Sequence, residues 1–67
     1  MMTMRRIGED GRETVVSVLS VDYDQDTNVL VGHVGEPVVY DTGLVYVMND
    51  NGKTVVVYNL TKQKQVK

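Results

Sequence analysis

The stretch LVYVMNDNGKTVVVY, residues 44–58, places two apolar runs on either side of an Asn51-Gly52 dipeptide. Both residues tolerate positive φ, which a type I′ hairpin turn needs at its two central positions. A two-residue loop there pairs Asp50 with Lys53, Met48 with Val55 and Tyr46 with Val57. The other side of the hairpin then carries Val45, Val47, Val56 and Tyr58. Neither face is polar, whereas a one-layer antiparallel sheet ordinarily alternates apolar-in with polar-out.

A second hairpin repeats the pattern. Asp24 to Thr27 separates two more valine-rich runs. With a loop of two or four residues, Leu19, Val21, Leu30 and Val34 share one face. Val16, Val18, Val29 and Val31 share the other, with Ser20 and His33. A one-residue slip would flip every side chain across the sheet, but apolar residues would remain on both sides.

Working outward, the turn signals are regular: Asp10-Gly11, Asp24 to Thr27, Gly35-Glu36-Pro37 and Asn49 to Gly52. They predict an antiparallel meander of about five strands, near residues 3–8, 12–23, 28–34, 38–48 and 53–60, the fourth interrupted at Asp41-Thr42-Gly43. The fold class is all-β, as a curled sheet or a small SH3-like or OB-like barrel, with no helix of useful length. Composition agrees. Valine is the commonest residue, four tyrosines supply all the aromatic content, and alanine is absent. β-branched and aromatic side chains fit a pleated surface, while alanine is the best helix former.

The 67 residues make one domain, with a polar and basic tail from Lys62 to Lys67 that is expected to fray. A domain of this size buries about 60% of its unfolded surface, and small domains usually add disulfides, a metal or association to a thin core. The chain has no cysteine and one histidine, so disulfides, thiolate zinc and imidazole-rich metal sites are excluded. Association remains. No cofactor is expected.

A net charge of −2 argues against a dedicated nucleic-acid binder. No apolar run approaches the roughly 20 residues that span a membrane. Met1 to Arg6 carries charge with no apolar stretch behind it, so no signal peptide is expected and the expected location is cytoplasmic. In that setting the sequon Asn59-Leu60-Thr61 is a chance match.

Few constellations suggest chemistry. Asp22, Asp24, Asp26 and Asn28 repeat at every second position, like the first half of a calcium loop. The match breaks at Thr27, where the sharp turn needs glycine, and at His33, where a bidentate glutamate belongs. The expected role is a hairpin tip that caps its own turn, with weak calcium binding the alternative. His33 offers a general base or a pH switch, but with Ser17 and Ser20 it has no triad spacing, so a half-buried strand histidine is expected. Glu9, Asp10 and Glu13 lie at turns, where carboxylates are usually solvated. Gly8 to Gly11 lacks the strand–glycine–helix context of a phosphate loop.

The leading functional expectation is a non-enzymatic, self-associating protein-binding module, a dimer first of all, with Val45, Val47, Val56 and Tyr58 as the partner face. Size alone suggests a small accessory, regulatory or inhibitory factor, of the kind phages and mobile elements carry; no residue supports that. The second expectation is a nucleic-acid- or nucleotide-binding barrel using Arg5, Arg6, Lys62, Lys64 and Lys67 beside Tyr40, Tyr46 or Tyr58. The third is a structural subunit of a larger assembly.

Overall fold

The computed structural model describes residues 1–61, all of them in strands, turns and connections without a helix. Seven strands form: β1 (Met2–Ile7), β2 (Glu13–Val18), β3 (Ser20–Asp24), β4 (Val29–Val34), β5 (Glu36–Tyr40), β6 (Leu44–Met48) and β7 (Thr54–Asn59). They make two antiparallel sheets, one of four strands in the order β2-β1-β6-β7 and one of three in the order β3-β4-β5. The all-β class and the antiparallel pairing are as expected. The closed five-strand barrel is not formed, and the order is not a simple meander, because β1 pairs with β6 across the chain.

Two expected strands divide. Residues 12–23 bend at Leu19, where the chain leaves the four-stranded sheet as β2 and enters the three-stranded one as β3. The Leu19 amide donates to His33 O at 2.7 Å, so the corner is hydrogen-bonded through. No turn residue marks it. Residues 38–48 divide at the foreseen place, Asp41 to Gly43. Gly35 alone makes the β4–β5 turn at φ 98°, and Pro37 sits in β5, an edge strand, where a missing N–H costs no ladder bond.

The core lies between the sheets. Met4, Val18, Val45, Val47 and Leu60 pack with Leu30 of the three-stranded sheet. Half-buried Met2, Val16, Val21, Val38, Tyr40 and Tyr58 surround them. Val21, Leu30 and Val34 share a face, and Val29, Val31, Ser20 and His33 the other, as the hairpin pattern implied. Val16 and Val18 belong instead to the inner side of the four-stranded sheet. Among the described residues no helix is long and apolar enough to cross a membrane.

Candidate functional site

The β6–β7 hairpin turns differently from the type I′ expectation. The Gly52 amide donates to Asn49 O at 3.0 Å and the Asn49 amide to Lys53 O at 2.9 Å. Gly52 has φ 76°. This is a three-residue loop, a type I turn closed by a left-handed glycine. Asn49 Oδ1 accepts the amides of Asn51 and Lys53, each at 3.0 Å, and so fixes the turn from inside. The longer loop shifts the first pair, so that Met48 faces Thr54 rather than Val55. Val55 is then left over as a bulge, and the expected register resumes with Val47 opposite Val56 and Tyr46 opposite Val57.

The faces, however, are inverted. Val45 is 0% and Val47 2% exposed, both in the core between the sheets. The side expected to meet a partner is the side the chain covers itself. Tyr58 is half-buried, with its ring centroid 4.7 Å from that of Tyr23. Val56 keeps part of its surface free, because the Thr54–Val57 end of β7 is exposed throughout. Hydrophobicity could not choose between the two faces of β6, since both are apolar. A usable signal was Tyr46, whose polar tip suits the wetter side.

The uncovered surface is the opposite side of the four-stranded sheet. Its central cross-strand row runs Val15, Arg5, Tyr46, Val57. On one side of that row lie Glu13, Ile7, Leu44 and Asn59; on the other lie Ser17, Thr3, Met48 and Thr54. Val15 is 59% exposed, Val57 47% and bulged Val55 57%. Among the described residues Arg5 is the one cation of these rows; its guanidinium lies 6.0 Å from the Tyr46 ring centre and its Nε is on the carboxylate of Glu13. It therefore presents a neutralised pair on a face that mixes apolar side chains with Thr3, Ser17, Thr54 and Asn59.

The basic cluster separates. Arg5 and Arg6 are successive residues of β1 and point to opposite sides of the sheet. Arg6 turns inward, donating from Nε to Thr42 O at 2.9 Å and from Nη2 to Thr42 Oγ1 at 2.8 Å, with its guanidinium 5.1 Å from the Tyr40 ring centre. It latches the β5–β6 connection. Lys62, Lys64 and Lys67 lie outside the described residues.

The acidic hairpin tip caps itself. Asp24 Oδ1 accepts the amides of Asp26 at 2.9 Å and Thr27 at 3.3 Å. Asn28, at φ 58°, is used internally: its Oδ1 accepts from the Tyr23 hydroxyl at 2.6 Å, and its Nδ2 donates to Leu60 O at 3.2 Å. Asp22 leaves the group altogether, lying 2.7 Å from His33 Nε2 on the outer face of the three-stranded sheet. Among the described residues no three metal-ligating side chains converge. The same face brings Ser20 opposite His33, so serine, histidine and aspartate are neighbours there. They stand on an open surface, Asp22 78% exposed, with nothing to exclude water from a reacting group.

No family model, curated protein or solved structure matches the chain.

Proposed function

We propose that the chain is a non-enzymatic binding module that associates with a second copy through the outer face of its four-stranded sheet. The observation that carries this reading is one sheet face, drawn from all four strands, on which Val15 and Val57 are exposed and Ile7, Leu44, Tyr46 and Met48 half-buried, with no second layer over it among the described residues. Fully burying a valine side chain is worth roughly 1.5–3 kcal/mol relative to leaving it exposed. A core this small rarely supplies more than about 3–5 kcal/mol, so covering several such residues changes the stability of the whole domain. Arginine, tyrosine and methionine, all present here, are enriched at interfaces. Because Arg5 is paired with Glu13 in its own chain, two copies can meet face to face without opposing like charges.

The reading is tested with Val15→Lys combined with Tyr46→Lys. Light scattering at tens of micromolar is expected to show an oligomer for the unaltered chain and a monomer for the variant, with the β-sheet circular dichroism of both alike. A strictly monomeric unaltered chain, or a folded variant that stays associated, refutes it.

A further inference from the structure

The chain has four asparagines, at positions 28, 49, 51 and 59. Three have their side chains committed. Asn28 accepts from the Tyr23 hydroxyl and donates to Leu60 O. Asn49 Oδ1 accepts two amides of its own turn, and Asn59 Oδ1 accepts the Thr61 amide at 3.1 Å. The Asn51 carboxamide bonds to none of the described residues and stands exposed at the tip of the β6–β7 loop. The following residues differ as well. Val29, Asp50 and Leu60 each carry a side chain beside the backbone nitrogen, and Leu60 is fully buried with its amide on Gly43 O at 2.8 Å. After Asn51 comes Gly52, which has no Cβ, is exposed, and has open space within 4 Å of where a Cβ would stand.

We propose that Asn51 is a site of spontaneous deamidation, restrained by the Asn49 cap, whose isoaspartyl product disturbs the β6–β7 register. Hydroxide takes the Gly52 amide proton, and the freed nitrogen attacks Asn51 Cγ. The Cγ–Nδ2 bond breaks, and ammonia leaves with a proton from water, which restores the hydroxide. A succinimide ring now joins the two residues. Water opens that ring at either carbonyl, giving aspartate from one and isoaspartate from the other. The sum is asparagine and water to acid and ammonia. The folded loop opposes the attack, because the Gly52 amide donates to Asn49 O at 3.0 Å and Asn49 Oδ1 holds the Asn51 and Lys53 amides. Ring closure therefore waits for local opening, which costs least in exposed loops with few packed contacts. Aspartate adds only a charge. Isoaspartate threads the chain through Cβ, adding a backbone carbon to the loop whose length sets the bulge at Val55. The site lies at the loop tip, and its chemistry does not depend on the association face proposed above.

The test keeps the purified, folded chain in warm, mildly alkaline buffer and follows it by peptide mass mapping. Acid is expected to accumulate at position 51 at least ten times faster than at positions 28, 49 and 59 together, with isoaspartate among the products. Asn49→Ala, confirmed as folded by circular dichroism, is expected to speed the change at position 51 several-fold. Asn49→Asp keeps an accepting oxygen in the turn and is expected to leave it slow. Once separated by anion exchange from the unaged chain and from each other, the isoaspartyl form is expected to unfold at a lower temperature than the aspartyl form. Faster change at another asparagine overturns the site, as does an unchanged position 51 after a time that converts the urea-unfolded chain. Equal rates in the unaltered chain and both Asn49 variants overturn the restraint. Equal unfolding midpoints of the two products overturn the effect on the register.

Discussion

Gly32 shows how much one missing side chain can position. It is buried in the middle of β4, and a Cβ built there would overlap the Met4 methyl and lie 2.8 Å from Val18 Cγ1. The two sheets approach closely because nothing stands between Met4 and the β4 backbone. Glycine in a strand interior often marks a close backbone approach, a signal the sequence carried at Gly32. Gly32→Val is expected to cost about 1–3 kcal/mol through overpacking, read as a lower urea midpoint. Adding Met4→Ala is expected to recover part of that loss, since neighbouring substitutions in contact couple. Strict additivity of the two would show that the sheets do not meet at this point.

At the level of the element, the β6–β7 hairpin separates what a local pattern carries from what it leaves open. Asn51-Gly52 located the turn correctly. The loop length depended on Asn49, whose side chain caps the turn and draws Gly52 into the closing position. Asparagine at the first position and glycine at the fourth is a type I signature, so this part was readable in principle. The bulge at Val55 was not, because it absorbs the extra loop residue to satisfy packing further along β6. Asn49→Ala is expected to lower stability by about 1 kcal/mol, the usual net worth of such hydrogen bonds. Thermal unfolding followed by circular dichroism measures it, and an unchanged midpoint would remove Asn49 from the turn's support. The bend at Leu19 is harder still. Residues 15–21 hold no glycine, proline or asparagine, and the corner exists only because β2 and β3 have different sheets to join.

For the whole molecule, the decisive fact is which side of the four-stranded sheet the three-stranded sheet covers. It covers the side of Met4, Val45 and Val47, leaving Val15 and Val57 exposed and Tyr46 half-buried on the other side. Val47→Lys is therefore expected to unfold the chain, because a lone buried ammonium costs several kcal/mol, comparable to the entire stability of a domain this small. Loss of the β-sheet circular dichroism at 25 °C checks it; a folded Val47→Lys protein would mean that the covered face is misidentified. Arg6 and Tyr40 illustrate the same dependence on assembly. Among the separate candidates for a nucleic-acid surface, these two sit together at Thr42, where Arg6 latches the connection, because β1 lies beside β6 and the connection from β5 crosses its end.

Taken by itself, the chain's residue pattern determined the all-β class, most turn positions, the faces of the β3–β4 hairpin and an excess of apolar strand surface. Those follow from local chemistry: positive-φ residues at turns, β-branched side chains in strands, and a period of two. Pairing β1 with β6, splitting residues 12–23 between two sheets, and burying Val45 and Val47 rather than Tyr46 were decided only in three dimensions. Where both faces of a strand are apolar, local burial energy is nearly the same either way. The choice passes to packing between distant segments, here to the fit of Met4 against Gly32.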